Sequence, residues 1–448
     1  MTSSLARPLP PLARTAPPKL PTVSDTVLDN GLRVLAVRRP GVPLAEIRLR
    51  IPFAGPSGKR ARAHTAQAAL LADALLLGTE RRDAEQIATD LQSLGGQLSA
   101  STDSDRLGLG GSVLVDGLPG LLELLGEVVT AASYPKREVA GERDRLVQEL
   151  AIYRSQAAVV AREALLQRLY GDHPYGRDLP TAQEVEEVKA GQLRTLHAKR
   201  VSPQGAVLVL VGDLPPQRAV ALVEQALGSW TASGRAEEVP PLPAPPAGPA
   251  LLLDRPGAVQ TTLRASAPAP ARSHPDSAAF VLANLVFGGY FSSRWVANIR
   301  EDKGYTYSPH AVVEHPPAGS RVTISADVST PTTAAALVET WYELGRAATQ
   351  PVTQDELDQA RRYAVGSLAL GTASQAGLAS TLSQLAGSGL GVEWLRESPK
   401  RLAAVTVDDA LAAAARYLAP ARLTTVLVGD VEQVAEPVRG VLDVDVRP

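Results

Sequence analysis

Cysteine is absent from all 448 residues, which excludes disulfides, thiolate nucleophiles and every Cys-based zinc or iron–sulfur site. Zinc chemistry would then fall to histidine, and there are six: His64, His173, His197, His274, His310 and His315. No two of them are four positions apart, so no helix of this chain can offer one metal ion two imidazoles a turn apart. Aromatic residues make up only 4%, and the cores must be built from Leu, Val and Ala, packed largely as helices on sheets. Charge of one sign never accumulates: 45 basic and 47 acidic residues give a net charge of -2 without a long run of either, so nothing attracts nucleic acid or an anionic membrane. No apolar run is long enough to span a bilayer. Met1 to Thr22, rich in Pro, Ser, Ala and Arg, has no apolar signal-peptide core and is expected to be a disordered lead of a cytoplasmic protein, with a periplasmic location left open.

What is present is one unit written twice. In residues 23–235, Val27-Leu-Asp-Asn-Gly-Leu-Arg-Val predicts a hairpin turning at Asn30-Gly31, and Ala45, Ile47, Leu49, Ile51 and Phe53 alternate as a strand with one buried face. Gly55 to Ala63 reads as a loop and Ala66 to Leu77 as a buried helix. Asp83 and Gln86 form a capping box before the next helix, which Gly95-Gly96 closes. Helices are predicted at Gly120 to Ala132, Arg137 to Arg154 and Val160 to Tyr170, and the unit ends in the apolar strand Val207-Leu-Val-Leu-Val-Gly-Asp213. A stiff Pro-rich linker, 236–249, follows. The same order then returns in 250–448, with a helix over Ser277 to Phe287, another starting at Thr330-Pro331, a capping box at Thr353 and Glu356, and a closing Thr424-Thr-Val-Leu-Val-Gly-Asp430. A repeat of this size implies two domains of one α+β fold, each a largely antiparallel sheet with helices packed on it.

The stretch Leu285 to Pro309 carries the most chemistry. An apolar run breaks at Gly288-Gly289, a short helix with Trp295, Val296 and Ile299 on one face ends at Gly304, and Tyr305-Thr-Tyr307 is expected to be extended. Arg300 on the helix end and Tyr307 on the following strand would face one cavity, a cation fork and a phenol donor suited to a peptide carbonyl. The alternative is a solvated Arg300 paired with Glu301 or Asp302 and a half-buried edge tyrosine.

Taken together, Leu28-Asp-Asn-Gly-Leu-Arg-Val, Leu77-Gly-Thr79, Leu94-Gly-Gly96, Gln148-Glu-Leu150, His173-Pro-Tyr-Gly176, the paired Val-Gly-Asp ends and Ser293-Arg294 through Tyr307 resemble the M16 (pitrilysin-like) metallopeptidase family, in particular its short bacterial members and the mitochondrial processing peptidase subunits. The resemblance implies a clamshell half that joins another to enclose a peptide. Active members carry His-x-x-Glu-His on the first buried helix. Counted back from Gly78-Thr79, that motif falls on Ala69-Leu-Leu-Ala-Asp73, so Ala69, Ala72 and Asp73 stand where imidazoles and general base belong. His64 offers one donor nearby and no base, and His173 is read as fixing a loop. Glu149 stands where the resemblance puts the third zinc ligand and is read as a relic or a helix salt-bridge partner. The Arg-and-Tyr pair, seven residues apart, survives at Arg300 and Tyr307, and Gly288 and Gly289 would let backbone pass close to substrate. The expectation is a chain without metal or cofactor of its own. It would be the non-catalytic subunit of a heterodimeric endopeptidase whose partner supplies His-x-x-Glu-His and zinc, acting on unfolded peptides. A catalytically inert structural or peptide-binding protein of the same fold is the alternative.

Overall fold

The run Val207–Gly212 is apolar throughout, and all six residues are buried. Leu208 and Leu210 face one core while Val207, Val209 and Val211 face another. Thr424–Gly429 behaves the same way, with Leu427 on one side and Val426 and Val428 on the other. A strand reads as continuously apolar when both faces of its sheet are covered, and here both are.

A computed structural model describes residues 22–231, 239–246 and 248–448. The expected lead, apart from Thr22, and residues 236–238 and 247 of the expected linker lie outside them. Two six-stranded sheets organise the rest. The first has the order β1-β2-β6-β3-β5-β4, from β1 (Val23–Val27), β2 (Arg33–Arg38), β3 (Leu44–Pro52), β4 (Gln97–Thr102), β5 (Arg106–Leu114) and β6 (Val207–Gly212). The second has the order β12-β7-β11-β8-β10-β9, from β7 (Ala250–Asp254), β8 (Gln260–Ala269), β9 (His310–Glu314), β10 (Ser320–Ser329), β11 (Thr424–Gly429) and β12 (Val444–Arg447). Both sheets are mixed. β2 runs parallel to β6, and β7 runs parallel to β11 and β12, while the remaining pairs are antiparallel. Gly31, at φ +91°, sits in the loop that turns β1 into β2.

In the first half the helices are α1 (Lys59–Ala74), α2 (Ala84–Ser93), α3 (Leu118–Ala131), α4 (Lys136–Arg154), α5 (Ala157–Tyr170), α6 (Ala182–Glu186), α7 (Ala190–Arg200) and α8 (Pro216–Leu227). In the second they are α9 (Ser277–Asn284), α10 (Arg294–Val296), α11 (Thr333–Thr349), α12 (Gln354–Gly371), α13 (Gln375–Gly387), α14 (Glu393–Ala404), α15 (Val407–Tyr417) and α16 (Val431–Arg439). The capping boxes at Asp83–Gln86 and Thr353–Glu356 form as expected. α1 starts earlier than its apolar face suggested, at Lys59, inside the stretch read as a loop. α11 starts later than Thr330-Pro331, because Thr330–Thr332 makes a 3-10 turn in which the Thr332 and Thr333 hydroxyls donate to Ser329 and Thr330 carbonyls.

The two halves are joined by an exchange of helices. α13 of the second half lays Leu378, Leu382 and Leu385 on Leu35, Val37, Val209 and Val211 of the first sheet. α5 of the first half lays Leu165, Leu166 and Leu169 on Leu251, Val426 and Val428 of the second. Arginines at matching places hold the corners that precede the exchanged helices. Arg39, just after β2, donates to the carbonyls of Thr372 (3.0 Å) and Ala373 (2.5 Å) beyond α12, and Arg255, just after β7, donates to the carbonyl of Ser155 (2.7 Å) beyond α4. In each case a cation satisfies carbonyls left open by a helix end. The duplicated Asp is explained likewise: Asp213 accepts from the Gly41 N–H (3.3 Å) and Asp430 from the Gly257 N–H (3.1 Å).

The proline-rich segment lies on this junction. His173 Nδ1 accepts from the Tyr175 N–H (3.1 Å), which leaves Nε2–H to donate to the Pro240 carbonyl (2.9 Å), and Leu242 packs against the cluster around α5. Among the described residues no helix is long and apolar enough to cross a membrane.

Candidate functional site

The helix α1 carries positions 69 to 73 with Leu70 and Leu71 fully buried and Ala72 buried. Ala69 and Ala72 bring only methyl groups. Asp73 lies 3.4 Å from the Arg145 guanidinium of α4, and Arg145 also pairs with Glu142 and Glu149, each at 2.5 Å. One guanidinium therefore ties Asp73 and Glu149, the two carboxylates at ligand positions implied by the resemblance. These residues do not fit a zinc ion: they supply no imidazole, and a fixed cation already neutralises the carboxylates. Among the described residues no cluster of three or more His, Asp or Glu side chains is arranged to hold a metal. Arg145 was not singled out in the sequence, although its place one turn before Glu149 was a usable signal.

Burial is the largest cause that pushes the Asp73 carboxyl up, to about 6, with Arg145 pulling it down and Glu142 and Glu149 adding to the rise. The folded value lies above the ordinary one, so ionised Asp73 disfavours the fold above pH 6, and that cost vanishes as pH falls toward 4. Arg145→Ala should raise the Asp73 value further, measured by carboxyl carbon chemical shift against pH. A value unchanged or lower in the variant would refute the guanidinium contact.

The second site is built on α10 and the two π-helical turns around it, Leu285–Gly289 and Ala297–Asp302. Such turns widen a helix by one residue and re-aim its side chains. The turn is anchored on three sides. Arg294 makes a two-pronged pair with Glu356 (2.6 and 2.7 Å), the buried Trp295 donates to the Thr340 hydroxyl (3.0 Å) and stacks on Phe287, and Asn298 donates to Glu339 and Glu343 (both 3.0 Å). Arg294 holds the Glu356 carboxylate down to about 2, so this anchor contributes stability above the ordinary glutamate range and loses it as pH falls toward 2.

Held this way, the Arg300 guanidinium is sandwiched between the rings of Phe291 (4.6 Å) and Tyr307 (4.8 Å), and its Nε lies 3.0 Å from the Glu301 carboxylate as an ion pair. Tyr307 is 79% exposed. The fold thus brings the predicted pair into contact, with the Glu301 pairing of the alternative reading present as well. One local expectation fails: Tyr305–Tyr307 is no strand. Thr306 makes an isolated bridge to Val328, and β9 starts at His310, because Gly304 at φ +64° and Pro309 interrupt the extended run. Phe291, exposed and part of the sandwich, was missed in the sequence; in a chain so poor in aromatics its place two residues before Ser293 was the available signal.

Gly288 is buried, and a Cβ there would stand 2.9 Å from the Trp295 ring; at Gly289 it would crowd Leu285 and Asn284. Both glycines sit in the π-helical turn against their own half. The contacts of Arg300 and Tyr307 also lie within the second half, and neither Asp73 nor Arg145 is among them. Edge strands β4 and β9 end the two sheets, β4 beside α1. Between the halves opens a cavity of about 440 Å³ lined by Arg50, Asp105 and Tyr175 from one and Arg272, Glu314 and Arg321 from the other.

Comparison with known proteins adds the following. A family model described as insulinase, peptidase family M16, matches residues 64–183, and one described as the peptidase M16 inactive domain matches residues 187–363. An uncharacterized zinc protease of Mycobacterium leprae is 30% identical over 297 residues, which cover 65% of this chain and 66% of that protein's length. One from Streptomyces coelicolor is 24% identical over 413 residues, covering 88% and 86%. Among solved structures, an M16 inactive domain from Pseudomonas fluorescens superposes with a TM-score of 0.84 at 24% identity, covering 91% of this chain and 98% of that one. A protease from Helicobacter pylori gives 0.81 at 17%, covering 92% and 100%. These structural likenesses establish the fold.

Proposed function

This chain belongs to peptidase family M16, and from that premise we propose that it is a zinc-less subunit that grips substrate for a partner chain bearing His-x-x-Glu-His. The observation that supports this most directly is a contrast between the two sites. Where the resemblance puts a metal, Asp73 and Glu149 are clasped by Arg145. Where it puts a carbonyl-holding pair, Arg300 and Tyr307 are stacked on an anchored turn with the phenol exposed.

In the proposed complex an unfolded peptide lies as an added strand along a sheet edge, where main-chain hydrogen bonds give affinity independent of sequence. The Tyr307 hydroxyl donates to the scissile carbonyl oxygen as negative charge builds on it, and Arg300 fixes a neighbouring carbonyl. The zinc belongs to the partner, which does the cutting.

The test is reconstitution. The isolated chain is expected to contain no stoichiometric zinc by elemental analysis and to leave an unfolded peptide intact, and mixing with a family member of similar length that carries His-x-x-Glu-His is expected to produce cleavage. Zinc at full occupancy together with cleavage by this chain alone sinks the proposal. A stable two-chain complex that never cleaves favours the inert, peptide-holding alternative.

A further inference from the structure

The cavity between the halves is lined by four carboxylates and five arginines, and the pairing among them is uneven. Asp103 pairs with Arg106 (2.6 Å), Asp105 with Arg50 (3.0 Å), Asp178 with Arg162 (2.7 Å) and Glu314 with Arg321 (2.6 Å). Arg272 is left over. Among the described residues no carboxylate pairs with it, its guanidinium lies over the Trp394 ring at 5.3 Å, and burial alone lowers its proton affinity. A half-buried guanidinium facing a cavity without a counter-ion is an open anion site, since desolvation makes a new charge-assisted pair stronger than one in water.

Arg272 also lines a second, smaller cavity of about 230 Å³ between α9, α12 and α14, whose walls are mainly apolar: Ala278, Val281, Leu285, Leu368, Trp394 and Leu402. His315 borders both spaces as well; its Nδ1 is hydrogen-bonded to the Ser320 hydroxyl at 2.7 Å, and burial beside Arg272 lowers its proton affinity to about 4, so it adds no charge at neutral pH. The chemistry required of a ligand is thus an anion attached directly to an apolar group, with a polar extension leading toward the larger cavity. A peptide's last residue has this form: carboxylate and side chain on one carbon, and a backbone leading away.

We propose that Arg272 binds the terminal carboxylate of a peptide whose last side chain, an aliphatic one, fills the pocket lined by Val281, Leu285, Leu368 and Trp394. This takes its ligand class from the peptide-gripping role proposed above, but it needs neither a partner chain nor cleavage. The shared recognition chemistry, an aliphatic carboxylate, is also offered by free amphipathic acids.

The experiment uses the isolated full chain, with binding followed by calorimetry for four probes: a ten-residue unstructured peptide ending in leucine, the same peptide with a terminal amide, the same peptide ending in aspartate, and N-acetyl-leucine. The leucine acid is expected to bind at least tenfold tighter than the amide and than the aspartate peptide. It should also exceed N-acetyl-leucine, because the extended backbone uses the larger cavity. Arg272→Gln should abolish the acid-over-amide preference, Arg272→Lys should keep part of it, and Ala364→Phe, on the α12 wall of the same pocket, should block it for every probe. Equal binding of acid and amide by the unaltered chain overturns the assignment even if a variant misfolds, and leaves the two-chain reading standing. Preference for N-acetyl-leucine over the peptide overturns the peptide as occupant. Failure of reconstitution with the acid preference intact separates the two readings the other way.

Discussion

Replacing Tyr307 by phenylalanine is expected to lower turnover by the reconstituted two-chain peptidase about a hundredfold, the usual effect of deleting one donor to a developing oxyanion. The same change should leave the isolated chain as stable as before. Tyr307 is 79% exposed, and its hydroxyl makes no hydrogen bond among the described residues, so the lost oxygen has no structural partner. That separation makes the variant informative: a fall in rate with an unchanged unfolding midpoint has no packing explanation. Arg300→Ala should also lower the rate and raise KM, because it removes both a carbonyl clamp and the guanidinium that stacks on Phe291 and Tyr307. Lysine should not restore it, since an ammonium lacks the planar fork that can stack and donate at once. Unchanged turnover in Tyr307→Phe would reduce the pair to a surface stack.

The second large effect concerns the exchanged helices. Leu382 on α13 is fully buried against Leu35, Val37, Val209 and Val211 of the other half's sheet. Truncation to alanine is expected to cost about 2–5 kcal/mol, and aspartate more than about 4 kcal/mol, because an unpaired carboxylate would be buried. The loss should appear in both halves together. α5 and α13 cover opposite sheets, so hydrogen exchange in β6 and in β11 is expected to accelerate in the same denaturant range. A related result is expected on nicking the chain between Val239 and Pro246: the fragments should sediment as one particle, since the apolar clusters that α5 and α13 build on the opposite sheets do not depend on that peptide link. Fragments that separate without denaturant would contradict this.

Much of the architecture was legible because the strongest signals were local. The closing strands at Val207 and Thr424 read as buried and the capping boxes at Asp83 and Thr353 formed, whereas Arg300 and Tyr307, expected to face one cavity, are stacked on each other. The misses were of two kinds. Some were short and mostly polar, such as β4, whose Gln97-Leu-Ser-Ala-Ser-Thr102 carries little apolar alternation and earns its place only by pairing with β5. Others were non-local. Nothing in the neighbourhood of Ala157 says that α5 will lie on a strand near residue 426, nor does Arg272 announce that every carboxylate around it is already taken. The positions where the resemblance puts zinc hold no imidazole in the sequence itself, but the guanidinium that clasps their carboxylates needed three dimensions.

The exchange of α5 and α13 also bears on the order in which the molecule can be made. The first sheet is complete in sequence once Gly212 has left the ribosome, yet the second-half residues that cover the face formed by Leu35, Val37, Val209 and Val211 begin only at Leu368 and lie mostly on α13. At synthesis rates of about 5–20 residues per second that valine-rich face stays bare for on the order of ten seconds on the nascent chain. The amino-terminal half is therefore born with an adhesive surface, and its final burial waits for nearly the whole polypeptide.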